Sequence, residues 1–258
     1  MTVKQPTIVF VPGALHYPEC FKPLIEHLQK HGYETKSVKL KSVITQDERR
    51  AESHHEDADT IRATVIPLIE QGKDVIVFCH SYGGIPTSEG LFGLGEKEGQ
   101  AGGVVHIIYC CAFVLLEGQS LMTLMQQPEF KSDTPPSWYT LESDGLTLRL
   151  LKEHAMETLY ADVEPVLAQK AVEDVGLHSF KTFLSAQTKC AYKEIPSTYI
   201  LCEEDKAIPP VVQRYMVEQA NIKDIVKLHM SHSPFLARPD EVFCIIDSVV
   251  KGKGAPRA

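Results

Sequence analysis

Ser81, Asp205 and His232 lie far apart in this sequence, but together they are the residue types that make a reactive oxygen. A serine hydroxyl is a weak nucleophile near neutral pH, so it needs an imidazole to take its proton. The imidazole needs a carboxylate to fix its tautomer and steady its positive charge. Ser81 closes the run Val75-Ile76-Val77-Phe78-Cys79-His80, and Tyr82-Gly83-Gly84 and a helix-compatible Ile85 to Leu94 follow it. That is the pattern of a buried strand, a tight turn and a helix, with the hydroxyl lifted above the sheet edge beside the N–H groups of the helix start. Such turns usually read G-x-S-x-G, and here Cys79 replaces the first glycine. Asp205 follows the strand-like Ser197 to Cys202, and His232 follows Asp224 to His229, so all three residues are expected on one rim. Glu203 and Glu204 compete with Asp205 for the acidic role, but Lys206 to Pro210 completes a loop-to-helix pattern after the aspartate.

Acyl chemistry also needs two N–H donors aimed at the developing oxyanion. Tyr82 N–H, directly after the serine, is one. Ala14, on the turn after Thr7-Ile8-Val9-Phe10-Val11, is the expected second, since Pro12 has no N–H to give. Leu15, His16, Phe113 and Phe235, beside these motifs, are the expected substrate contacts, although for His16 a plain surface-loop role fits equally well. His80 neighbours the serine on a strand and should point the other way, into packing. His106 reads as a core or helix-facing residue, and His54-His55 as solvated surface. His27 and His31 are four apart on a helix, but without H-E-x-x-H or paired Cys/His spacing no metal is expected, and that pair reads as a solvated helix face.

The elements that must carry these residues alternate along the chain. After the first strand, Cys20 to His31 has a helical apolar face, and Tyr33 to Val38 is a second strand. Residues 41 to 55 are irregular, and Asp57 to Gln71 is helical with a kink expected at Pro67. Gly93-Leu94-Gly95 follows a helix and precedes a strand, which is the wrong context for a dinucleotide fingerprint. Val104 to Cys111 is a further buried strand. Strands rich in β-branched residues alternating with helices predict a mostly parallel sheet with helices on both faces, and ligands collect at the carboxyl ends of such strands. From Glu117 to Tyr192 the alternation fails. Strand-like Tyr139 to Leu141 and Leu146 to Leu148 flank a Ser143-Asp144-Gly145 turn, and helices are expected over 151 to 159, 163 to 174 and 179 to 187. The expected organisation is a core of 1–116 and 193–258 with an inserted helical cap, 117–192. A second independent domain is the alternative for that stretch, which is short for one. Asp224 to His229 and a helix from Pro239 to Val250 complete the core, and 252–258 reads as a frayed tail.

Composition narrows the partners. The 258 residues carry a formal charge of −8 without a long acidic block or a Lys/Arg-rich run, so nucleic acid is not an expected partner. No run approaches the roughly 20 apolar residues of a membrane span, and the polar start lacks a signal-peptide core, so a cytoplasmic location is expected. Seven cysteines without a C-x-x-C pair read as reduced core residues.

Phe10-Val11-Pro12-Gly13-Ala14, Cys79-His80-Ser81-Tyr82-Gly83-Gly84, Ser197-Thr198-Tyr199-Ile200 with Asp205, and Ser231-His232-Ser233-Pro234-Phe235 resemble the α/β-hydrolase superfamily. Within it the chain looks like the small esterase and hydroxynitrile-lyase branch that includes plant methylesterases. The resemblance implies the α/β-hydrolase fold, a Ser81, Asp205, His232 triad and a lid over an apolar pocket. Lyases of that branch carry a threonine in the first loop and a lysine just after the histidine, where this chain has Gly13 and Ser233, so hydrolysis is favoured. Pro12 stands where a histidine is common. The expectation is a cofactor-free serine hydrolase acting on a small or medium apolar carboxylic ester, lactone or thioester. Acyl transfer or cyclisation with the same triad, and a small-molecule receptor on a hydrolase scaffold, are the alternatives; oligomeric state stays open.

Overall fold

The run Thr7–Val11 shows no polar alternation, and all five of its residues are buried, as a strand covered on both faces must be. The computed structural model describes residues 5–131 and 136–252, so the expected tail lies outside the described residues apart from Gly252. In chain order, β1 (Thr7–Val11), α1 (Lys22–Lys30), β2 (Thr35–Ser37), β3 (Val43–Ile44) and α2 (His55–Glu70) come first. Then follow β4 (Asp74–His80), α3 (Gly84–Gly90), β5 (Gly103–Cys110), α4 (Leu121–Met125), β6 (Tyr139–Leu141), β7 (Thr147–Leu150) and α5 (Lys152–Leu159). The chain continues through α6 (Pro165–Glu173), β8 (Leu177–Ser179), α7 (Lys181–Leu184), β9 (Ser197–Cys202) and α8 (Pro210–Gln219). It closes with β10 (Asp224–Leu228), α9 (Pro234–Ala237) and α10 (Pro239–Val250).

Six strands form one sheet in the order β10-β9-β5-β4-β1-β2, and every pairing in it is parallel. From β1 the chain moves outward to β2 and then returns to place β4 on the other side of β1. The strand order therefore reverses between β1 and β4, and in open parallel sheets ligands collect at the carboxyl ends of the strands beside such a reversal. The two turns there begin at Pro12 and at Ser81, and β9 and β10 bring Asp205 and His232 to the same rim. Below the rim, Phe10, Phe21, Phe78 and Phe235 pack ring to ring, with centroids 4.7 to 5.8 Å apart. Each such pair adds about 0.5–1.5 kcal/mol beyond its burial.

A second sheet, β3-β8-β7-β6, is antiparallel. It corrects several expectations. The segment 117–192 is mixed rather than helical, and the helix expected over 179–187 shrinks to α7 because Leu177–Ser179 pairs with β7 and β3. The irregular stretch 41–55 contributes Val43–Ile44 to this sheet. The helix after Ser81 stops at Gly90 rather than Leu94, and α2 runs through Pro67 to Glu70. His54 is wholly buried rather than solvated, because the 179–188 segment folds over it. His27 and His31 do share a face, but Phe243 of α10 packs on both rings, so that face is only partly open to water.

Gly83 and Gly84 are where the sheet and its loops approach most closely. A Cβ on Gly83 would run into the carbonyl oxygen of Pro12, and one on Gly84 into that of Phe113. Neither backbone can retreat without disturbing a strand end. Gly83→Ala should therefore destabilise the protein by about 1–3 kcal/mol or more, read as a lower urea midpoint.

Candidate active site

The turn after β4 forces Ser81 into the left-handed region, with φ of 53°. A serine avoids that conformation unless its surroundings impose it. Here they do: Ser81 to Gly83 form a single 3-10 turn leading into α3, Gly83 is pressed against β1's exit loop, and Phe113 N–H donates to Ser81 O at 2.9 Å. Cys79, where a glycine was expected, fits because its side chain lies inside the strand, with Sγ 3.6 Å from the Ile108 carbonyl.

Ser81 Oγ lies 3.0 Å from His232 Nε2, and His232 Nδ1 lies 2.7 Å from Asp205 Oδ2. The carboxylate can only accept, so Nδ1 carries the proton, and Nε2 is the free base facing the serine hydroxyl. Asp205 is nearly inaccessible to solvent, and four donations satisfy it. Its Oδ1 accepts from Ala207 N–H (2.8 Å) and Ile208 N–H (2.9 Å), and its Oδ2 accepts from Gln213 Nε2 (3.2 Å) as well as from the imidazole. His232 is held from behind too. Its carbonyl accepts from His80 Nε2–H at 2.8 Å and from Cys111 Sγ at 3.3 Å. Ser231, one residue earlier, is bound through both N–H and hydroxyl to the Asp162 carboxylate.

The loop after β1 abuts the serine. A Cβ on Gly13 would come 2.9 Å from Ser81 Cβ and 3.4 Å from Oγ, which places the Gly13-Ala14-Leu15 backbone beside the hydroxyl. This loop is bonded to residues far along the chain. His16 Nδ1–H donates to Ala14 O at 2.7 Å, so His16 Nε2 must accept, and the Tyr160 hydroxyl donates to it at 2.6 Å. Leu15, at φ 70°, turns its N–H toward His178 Nδ1 at 3.5 Å. Tyr82, the residue whose N–H follows the serine, is anchored by its hydroxyl to the buried Asp57 carboxylate at 2.7 Å.

A family model described as the alpha/beta hydrolase family matches residues 8–243. The chain belongs to the alpha/beta hydrolase family. It is 35% identical over 246 residues to the alpha/beta hydrolase nvfD of Aspergillus novofumigatus, covering 94% of this chain and 95% of that protein. It is 24% identical over 261 residues to methylesterase 9 of Arabidopsis thaliana, covering 91% and 94% respectively. The crystal structure of polyneuridine aldehyde esterase superposes with a TM-score of 0.78 at 17% identity, over 95% of this chain and 100% of that one. Among the described residues, no helix is long and apolar enough to cross a membrane.

The structure of this α/β hydrolase separates the expected site residues. Ser81, Asp205 and His232 meet, and Ala14 and Tyr82 flank the serine from two sides. Leu15 and Phe113 sit in the loops that enclose the turn, both buried. His16 is buried rather than on a surface loop, because Tyr160 covers it. Phe235 is corrected: it is packed between Phe21 and His80 in the core behind the site, not open to a ligand. His80 does pack against Phe235, yet its ring also supports His232. His106 is half-buried and 2.8 Å from Thr198 Oγ1. Tyr160, Asp162, His178 and Asp57 went unremarked as site residues in the sequence, since their partners lie 25 to 163 positions away and no local spacing marks them.

Burial holds the surrounding histidines in their neutral form. It lowers His16 to about 4 and His178 to about 3, and it pushes His80 well below the ordinary histidine value. Unfolding returns each of them to about 6.5, so below that pH the unfolded chain binds more protons than the folded one. The stability these groups protect is complete above pH 6.5 and is lost as pH falls toward 4. The urea midpoint should drop across this window, and His178→Asn, which keeps an acceptor for Leu15 N–H, should make the drop shallower.

Proposed function

We propose that this chain is a serine hydrolase that cleaves a small or medium apolar carboxylic ester, lactone or thioester through an acyl-Ser81 intermediate, with no cofactor. The observation that carries this reading is the continuous line from Ser81 Oγ through His232 to Asp205, at 3.0 and 2.7 Å. His232 Nε2 removes the serine proton as Oγ attacks the acyl carbon, then returns it to the leaving alkoxide or thiolate. In the second half it takes a proton from water as that water attacks the acyl carbon, then gives the proton to Ser81 Oγ as the acyl–Oγ bond breaks and the acid leaves. Asp205 keeps Nδ1 protonated and stabilises the imidazolium. The N–H groups of Tyr82 and Ala14 receive the oxyanion, and losing one such donor costs about 3–4 kcal/mol of transition-state stabilisation.

Gly13 supports hydrolysis over cyanohydrin cleavage. Even a single methyl there would crowd Ser81 Cβ at 2.9 Å and His80 Nδ1 at 3.1 Å, so this backbone has no room for a threonine. The position after His232 is Ser233, a buried hydroxyl that offers no cation. We read residues 117–192 as a cap whose Tyr160, Asp162 and His178 hold the Ala14 loop and the His232 loop in register.

Ser81→Ala and His232→Ala should each lower ester hydrolysis on the order of 10³-fold or more, and a fluorophosphonate should label the unmodified chain at Ser81 but not the alanine variant. Undiminished turnover in Ser81→Ala would remove this reading. Tyr160→Phe deletes the hydroxyl that fixes His16, and so loosens the Ala14 peptide. It should lower kcat by about 2- to 10-fold with KM nearly unchanged, in steady-state assays on a chromogenic ester.

A further inference from the structure

The two histidines at the start of α2 stand apart from the Ser81 site. His54 is wholly buried, and its Nδ1 lies 2.6 Å from Ser185 Oγ, which also accepts the His54 backbone N–H at 3.1 Å. The Ser185 hydroxyl donates its own proton to the Thr182 carbonyl at 3.1 Å, so toward His54 it acts as acceptor. Nδ1 therefore carries the imidazole proton, and Nε2 is left as a bare lone pair. This nitrogen is shielded from solvent and has no hydrogen-bond partner. It faces Glu89 Oε2 at 3.7 Å, while the other oxygen of Glu89 lies 3.6 Å from His55 Nδ1. A lone pair and a carboxylate facing each other in a buried space repel, and either a proton on Nε2 or a metal ion between them would remove that repulsion.

The spacing is that of a metal site. Zinc holds imidazole nitrogen and carboxylate oxygen at about 2.0–2.2 Å, which sets neighbouring ligands of a tetrahedral site about 3.4 Å apart. The three ligand atoms here lie within 4.8 Å of one another, so side-chain shifts of tenths of an ångström to about 1 Å would close them on an ion. We propose that His54 Nε2, His55 Nδ1 and the Glu89 carboxylate bind a borderline divalent cation, zinc foremost. Two imidazoles and one carboxylate suit zinc and leave its fourth position to water.

The groups behind the ligands are those a metal site needs. Ser185 orients His54. Thr188 N–H (2.8 Å), Lys189 N–H (3.1 Å), Gln187 Nε2 (3.2 Å) and the Thr188 hydroxyl hold the Glu89 carboxylate. His55, with 41% of its side chain exposed, gives the ion a route in. A bound ion would join the start of α2 to α3, the helix that follows Ser81, next to the strand of chain that runs from 185 to 189. The role is structural and does not depend on the hydrolysis proposed above. His80, Cys111 and His232 also lie close together, but both ring nitrogens of His232 are already committed, to Asp205 and to Ser81.

The test uses the full chain without an affinity tag, stripped by a chelator and titrated with zinc against a chromogenic competitor while thermal unfolding is followed. One zinc per chain should bind and raise the unfolding midpoint. Ser185→Ala should weaken binding by about 10- to 100-fold, and His55→Gln and Glu89→Gln by at least as much. His55→Gln is the decisive variant, because its partly exposed side chain can be replaced without opening the core, and its ester hydrolysis should match the parent. Cobalt substituted for zinc should give no thiolate charge-transfer band, which coordination by Cys111 would produce. Absence of stoichiometric zinc, affinity unchanged in His55→Gln, or a thiolate band would each overturn the assignment.

Discussion

The arrangement at the rim depends on one imidazole being unable to move. Asp205 fixes the His232 ring through Nδ1, while His80 and Cys111 fix its carbonyl and Asp162 fixes the residue before it. An exposed histidine would swing among rotamers and reach the serine only part of the time. Held at ring and backbone together, it keeps Nε2 3.0 Å from Ser81 Oγ with no ordering left to be done when a substrate arrives. His80 can do this because burial keeps it neutral, so it donates through Nε2 without setting a second positive charge beside the imidazolium that the proposed mechanism forms on His232.

The serine is constrained in a different way, by steric exclusion. A left-handed φ at Ser81 is unfavourable in itself, and the turn persists because Gly83 and Gly84 lie flush against the carbonyls of Pro12 and Phe113. Those carbonyls belong to the exit loops of β1 and β5, the two strands that flank β4. The strain at one residue is thus opposed by the hydrogen bonding of three strands. Gly13 completes the enclosure, since any side chain there would occupy the space beside the hydroxyl.

The residues between 117 and 192 contribute polar bonds as well as cover. Tyr160 and His178 reach the Ala14 loop, and Asp162 reaches Ser231, so the same short stretch ties together two loops that come from opposite ends of the chain. If these residues form the cap we infer, the cap helps assemble the site in addition to enclosing it. The packing that covers His16 and His178 also deprives them of charge at neutral pH.

Much of this was legible in the residues alone. Period and composition placed the parallel strands because a strand buried on both faces must be mostly apolar, and β1, β4, β5 and β9 are, with half-buried polar residues at Asp74, His106 and Ser197. Ser81, Asp205 and His232 stood out because each lies just past the end of a strand of the parallel sheet, β4, β9 and β10 in turn, and parallel strands send their carboxyl ends to one rim. The short strands β3 and β8 were hidden, since two or three residues show no periodicity and are defined only by the partner they pair with. His54 and His16 looked like surface residues because local polarity says nothing about a segment 130 or more positions away that will cover them. Local sequence, in short range, determined which atoms could react and which strands would carry them. Only the folded chain decided which side chains hold those atoms still, because such contacts are made between residues that no local pattern connects.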